Sequence, residues 1–93
     1  MIGKYATSKA GHDKGKLYII VACDDTQVWL ADGEYKRMDA PKKKNIRHIQ
    51  IINETVEADL LTRICNRQPH IDDKIKYAIK QKLNSNKVED GNV

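Results

Sequence analysis

The run Leu17-Tyr18-Ile19-Ile20-Val21-Ala22-Cys23 constrains the fold more than any other stretch of the chain. Its β-branched residues and its tyrosine favour a strand, and the run is too short for a buried helix. The segment directly before it, Ala10-Gly11-His12-Asp13-Lys14-Gly15-Lys16, is a short basic loop with two glycines. Glycine reaches backbone angles closed to other residues, so this spacing permits a tight turn with exposed amides. Lys9, Lys14 and Lys16 bring positive charge to the same place. Such a loop suits an anion, phosphate above all. It is equally well read as a polar hairpin connection with solvated lysines.

The segments around this pair read as further short strands. Ile2 to Thr7 carries β-type residues, with Gly3 permitting a bend, and forms a first strand. Asp24-Asp25-Thr26 is a turn, and Gln27-Val28-Trp29-Leu30-Ala31 a third strand. Asp32-Gly33 is a hairpin signal of the type I′ kind, from which Glu34 to Met38 returns as a fourth strand. Pro41 ends that strand and opens a basic connection, Pro41-Lys42-Lys43-Lys44-Asn45. Ile46 to Ile52 is expected as the fifth.

The period then changes. Val56, Leu60, Leu61 and Ile64 share one helical face, with Asn53 or Thr55 as cap and Gln68-Pro69 as stop. A second helix is expected with Asp72 at its N-cap, Asp73 favouring its dipole, and Ile75, Ala78, Ile79 and Leu83 as its apolar stripe. The last residues show no core-forming pattern and are expected to be disordered. The resulting division is a β domain over 1–52, a helical hairpin over 53–84 and a tail over 85–93.

Ninety-three residues make one small domain. Five short strands leave little area for two packed layers, so the economical arrangement is one strongly bent sheet closing into a small barrel, with the helical hairpin covering one side. Tyr18 and Trp29 are expected in the core, as large aromatics usually are. Tyr5 and Tyr35, flanked by lysines, are the candidates for stacking on a base.

The charge is unevenly placed. The net charge is +4, and residues 1–50 carry all of the excess, while residues 51–93 balance to zero. From Tyr35 to Gln50 the cations Lys36, Arg37, Lys42, Lys43, Lys44 and Arg47 face only Asp39. A basic half beside a neutral half fits one face made for a polyanion, and competes with a solvated surface that merely aids solubility.

Other classes find little footing. Cys23 and Cys65 read as small core thiols of a reducing compartment, and His12, His48 and His70 lack metal-ligand spacing, so neither metal nor cofactor is expected. No serine–histidine, cysteine–histidine or paired-carboxylate arrangement has a credible setting for catalysis. Gly11-x-x-x-Gly15-Lys16-Leu17 lacks the spacing and the Ser/Thr of a nucleotide-binding P-loop. No apolar run approaches the roughly eighteen residues that span a bilayer. The opening Met-Ile-Gly-Lys-Tyr has no apolar signal region and no glycine at position two, so a cytoplasmic location is expected. A monomer is expected as well.

Residues 2–32 resemble a KOW motif: a strand, a basic turn with the core Asp13-Lys14-Gly15-Lys16, then an apolar strand. With Ala10-Gly11 before that core, Ala31-Asp32-Gly33 and Pro41-Lys42-Lys43-Lys44-Asn45, the first 52 residues resemble the bacterial KOW-domain RNA-binding proteins, which are similar to a KOW ribosomal protein of the archaeal and eukaryotic large subunit. His12 stands where that branch more often has a basic residue. The resemblance implies a mainly β fold, a five-stranded SH3-like barrel, and an RNA ligand, ribosomal RNA foremost, bound in a ribonucleoprotein of the translation machinery. Family roles carry over to Lys14, Gly15 and Lys16 in the loop and to Lys42, Lys43, Lys44, Arg47 and His48 in the basic segment, and the charge and loop reading adds Lys9, Gly11, His12, Lys36 and Arg37 as expected RNA contacts. The alternative is a protein-interaction module on ribosomal or transcription proteins, since KOW domains of transcription factors are similar in that respect.

Overall fold

A computed structural model of the chain describes residues 1–9, 11 and 14–91, with side chains described as far as residue 85. Five strands form one antiparallel sheet: β1 (Lys4–Ser8), β2 (Leu17–Cys23), β3 (Gln27–Ala31), β4 (Lys42–Asn45) and β5 (Ile49–Thr55). Helices α1 (Ala58–Cys65) and α2 (Asp72–Gly91) follow. The strand order is β4-β3-β2-β1-β5, so β4 and β5 are the two edges. A 3-10 turn, Ile46–His48, joins them, and no ladder pairs them among the described residues. The sheet is therefore curled but open at that seam, not a closed barrel.

Strand β2 explains the architecture. All five residues from Leu17 to Val21 are buried, although successive side chains of a strand point to opposite faces. Leu17, Ile19 and Val21 join Tyr5 and Ala31 in a cluster completed by Val56, Leu60, Ile64, Ile71, Ile75 and Ile79, which the helices and the residues leading into them supply. Tyr18 and Ile20 join Ala6, Val28, Leu30 and Ile49 in a second cluster, inside the curl of the sheet. A fully buried Ile side chain contributes about 1.5–3 kcal/mol, so both clusters matter in a domain of this size. A bulge in β2 falls between Ile20 and Ala22, where the register against β3 slips by one residue. Bulges sharpen the bend of a strand, which is what a sheet curling over its own core requires.

Several boundaries differ from the sequence-based expectation. Glu34 to Met38 is a loop and not a strand, and the lysine-rich 42–45 segment is the fourth strand instead. Asp32-Gly33 does not make a type I′ turn. Gly33 has φ of 80°, but Asp32 is not left-handed. The Asp32 carboxylate instead accepts from the amides of Glu34 (2.9 Å) and Lys36 (2.8 Å), which removes from strand pairing the amides a fourth strand would use. Strand β5 begins three residues later than expected and runs to Thr55, past the boundary expected at residue 52. Helix α1 starts after Glu57, so neither Asn53 nor Thr55 caps it. Helix α2 continues to Gly91, through most of the tail expected to be disordered; extending an existing helix needs no new nucleus.

The connection between the helices carries two strained residues. Arg67 (φ 52°) and His70 (φ 61°) are left-handed, on either side of Gln68-Pro69. The Arg67 amide donates to the Ile64 carbonyl and the Gln68 amide to the Arg63 carbonyl, both at 3.0 Å. This is the Schellman ending of a helix, in which glycine normally fills the position Arg67 holds. A left-handed non-glycine residue costs about 1–2 kcal/mol.

Gly33 sits against the start of α2. A Cβ there would lie 2.2 Å from the Asp72 carbonyl oxygen and 2.7 Å from the Lys76 amide nitrogen. Gly15, also left-handed at φ 83°, has nothing within 4 Å of such a Cβ. Urea denaturation separates the two: Gly33→Ala is expected to lose about 3 kcal/mol or more, and Gly15→Ala about 1 kcal/mol.

Candidate nucleic-acid interface

Ser8, at the end of β1, is where the basic segments meet. Its carbonyl accepts from the Gly15 amide at 2.9 Å, and an isolated bridge links it to Lys14. Its buried hydroxyl accepts from the Lys44 ammonium. The amide of the next residue, Lys9, donates to the His48 carbonyl at 2.9 Å. The glycine loop, strand β4 and the 3-10 turn thus converge at one corner of the sheet.

Register explains how β4 takes part. Val28 pairs with Lys44, Trp29 with Lys43 and Leu30 with Lys42. Residues directly opposite in an antiparallel pair project on the same face. Lys42 and Lys44 therefore share the concave face with Leu30 and Val28, and Lys44 spans the open side of that face to Ser8. Lys43 projects to the other face, where its ammonium stands 5.6 Å from the centre of the Trp29 ring. Three lysines in a strand are tolerable because β4 is an edge, where charged side chains reach water and discourage pairing with another chain.

The expected contact residues fall into two groups. Lys9, Gly11, Lys14, Gly15, Lys43, Arg47 and His48 are exposed, and Lys42 and Lys44 are half-buried. Among the described residues no carboxylate forms an ion pair with Lys9, Lys14, Lys43 or Arg47. In the second group, Lys16 and Arg37 are paired with acids and Lys36 is held by its backbone. The Lys16 ammonium lies 2.7 Å from Asp32 Oδ2, a buried oxygen with no conventionally angled hydrogen bond. Lys16 also stands over the Tyr35 ring at 4.5 Å and the Tyr18 ring at 5.5 Å. Arg37 lies 3.4 Å from Asp72 Oδ2, while Asp72 Oδ1 accepts from the Met38 amide at 2.8 Å. Lys36 is held by its backbone, its amide on Asp32 Oδ1 and its carbonyl accepting from the Asp32 and Gly33 amides. Asp72 is the first residue of α2 and not its N-cap, and it ties down the 37–38 loop instead. His12 and Asp13 lie outside the described residues.

The aromatic assignments change as well. Tyr5 is buried, with Lys82 over its ring at 5.1 Å, and offers no face to a base. Burial first, then the charges of Glu54 and Glu57, push its hydroxyl pKa up. Tyr35 is 73% exposed, as a stacking residue must be. Tyr18 is in the core, while Trp29 is only half-buried. Leu83, expected in the apolar stripe of α2, is exposed; the half-buried Lys82 beside it covers Tyr5 and pairs with Glu54 at 2.8 Å. Cys65 is exposed, contrary to the core role expected of it, and Cys23 is half-buried against the concave cluster. Among the described residues no helix is long and apolar enough to cross a membrane.

Sequence reasoning missed Ser8, Asp32 and Asp72 as organisers of the site. The only available signal was an Asp before Gly33, which reads as a turn residue from sequence and as an ion-pair anchor from structure. Compared with models of protein families and with curated proteins, the chain matches none.

Burial pushes the Asp32 carboxyl up, but the Lys16 ammonium and the amides of Lys36 and Glu34 outweigh it, leaving the pKa below the ordinary 3.8. A depressed carboxyl pKa adds stability that is complete above 3.8 and is lost as pH falls through the lower folded value. Asp32→Asn is expected to cost about 1–3 kcal/mol near neutrality. In melts at decreasing pH the gap from wild type should hold down to the ordinary carboxylate range and narrow below it.

Proposed function

We propose that the protein is a non-enzymatic, cytoplasmic RNA-binding module of the KOW kind, its curled sheet an SH3-like barrel open at one seam. The ligand is structured RNA, ribosomal RNA foremost. The observation that carries this reading is the convergence at Ser8. Gly15 and Lys44 both bond to it, and the Lys9–His48 bond lies one residue on. Two basic segments separated by two strands in sequence thus form one corner, as a face for a polyanion requires.

Folded RNA is met largely through phosphates, 2′-hydroxyls and shape, so cations in water count for more than base-reading side chains. Lys9, Lys14 and Arg47 are the residues for this, being exposed and forming no ion pair with a carboxylate among the described residues. Lys16 and Arg37 hold the loop together instead. Arg47 also has the planar fork that pairs bidentately with phosphate or guanine.

Binding to a structured RNA fragment, measured across a salt series, tests the proposal. Affinity is expected to fall linearly on logarithmic axes. Replacing Lys9, Lys14 and Arg47 together by alanine should flatten the slope by about two to three units if each meets a phosphate. Replacing the exposed α2 lysines, Lys74 and Lys80, should leave it unchanged. An affinity indifferent to salt would overturn the reading.

A further inference from the structure

An open cleft of about 640 Å³ lies on the helix side of the sheet, away from the concave core. Trp29, Met38, Pro41 and Pro69 make its apolar walls, and Asp39 and Arg67 add charge to its lining. The β2 bulge forms part of its floor, since it brings Val21 and Ala22 beside Trp29. This volume falls in the range of small-ligand sites, which are mostly apolar with a few placed polar groups.

Three observations point to what fits there. Trp29 is half-buried, so part of its indole is left to the cleft while Lys43 stands over the ring. Arg67 holds a left-handed position that glycine would occupy without strain, which sets a charged side chain at the cleft against the interest of the helix end. Strand β4 joins the cleft to the Ser8 corner, since Lys43 faces Trp29 and the adjacent Lys44 bonds to Ser8. An aromatic wall with cations beside it is the chemistry of a nucleotide. The carboxylates narrow the choice. Both Asp24 and Asp39 are exposed, but Asp24 commits Oδ1 to the amides of Thr26 (2.9 Å) and Gln27 (2.7 Å) and feels the Lys43 charge, whereas no hydrogen bond or ion pair among the described residues holds the Asp39 carboxylate. A carboxylate accepts from two adjacent N–H donors, and guanine presents such a pair on its Watson–Crick edge.

We propose that this cleft takes an unpaired guanine nucleotide of the bound RNA, its base against Trp29, its N1–H and N2–H on Asp39, and its phosphate on Arg67 and Lys43. The assignment rests on the RNA-binding reading and names one nucleotide class within it. The backbone crossing the Ser8 corner continues along β4, and one base leaves its stack to enter the cleft.

Trp29 is the chain's single tryptophan, so its fluorescence reports the cleft directly. Titration with GMP is expected to quench it saturably, and AMP, CMP and UMP to bind about fivefold or more weakly. Arg67→Gly should melt higher than wild type, because glycine relieves the left-handed strain, yet bind GMP about tenfold more weakly. Asp39→Asn should erase the preference for guanine. Equal quenching by all four nucleotides, no saturable quenching by any, or unaltered GMP binding by Arg67→Gly overturns the assignment. So does a proline-rich peptide that quenches Trp29 where nucleotides do not. Salt-dependent binding of structured RNA beside a silent cleft removes the cleft assignment alone, whereas loss of both removes the RNA-binding reading with it.

Discussion

Strand β2 has no polar side to leave in water. A sheet built around it must cover two faces, and a chain this short has one sheet and two helices with which to do so. Curling supplies one cover: β3 and β5 bring Val28, Leu30 and Ile49 around Tyr18 and Ile20. The helical region supplies the other, through Leu60, Ile64, Ile71, Ile75 and Ile79. The bulge after Ile20, the 3-10 turn between β4 and β5, and the close fit of Gly33 against α2 follow from that double demand. Each lets the chain change direction over a core that would otherwise be exposed on one side.

The acids decide which cations remain available. Burying a carboxylate is costly unless hydrogen bonds and an opposite charge offset the loss of water. Asp32 is buried and collects two amides and the Lys16 ammonium. Asp72 takes the Met38 amide and Arg37. These groups fasten the 33–38 loop to the sheet and to α2, so Arg37 serves the fold, while Lys36 is held by its backbone. Lys9, Lys14 and Arg47 near Ser8 form no ion pair with a carboxylate among the described residues, and they are the cations proposed to face a polyanion. Net charge alone could not make this division, because both sets lie in the same half of the sequence.

Strand β4 connects the two candidate sites because alternate residues of a strand face opposite ways. Lys44 turns to Ser8 and Lys43 to Trp29, so one edge strand serves both sides of the sheet. Arg67 shows the opposite economy. A glycine would end α1 with less strain, yet the residue there is an arginine that lines the cleft. Lys82 reconciles the two demands at a third place, covering Tyr5 with its stem and ring contact while its charge meets Glu54.

Strands β2 and β3 and the existence of both helices were legible in the residues, because apolar run length, β-branching and helical spacing are local properties. The concentration of positive charge before residue 50 was legible for the same reason. The fate of residues 32–45 was not. Asp-Gly reads locally as a hairpin turn and three lysines read as a loop, yet the carboxylate found partners that strand pairing would have used, and the lysines found an edge beside β3. Which lysines face water, and that Ser8 gathers two distant basic segments, depends on contacts between residues 36 and 39 positions apart. Only the curl of the sheet brings those together, since hydrophobic burial sets the curl and local sequence carries no record of what lies across it.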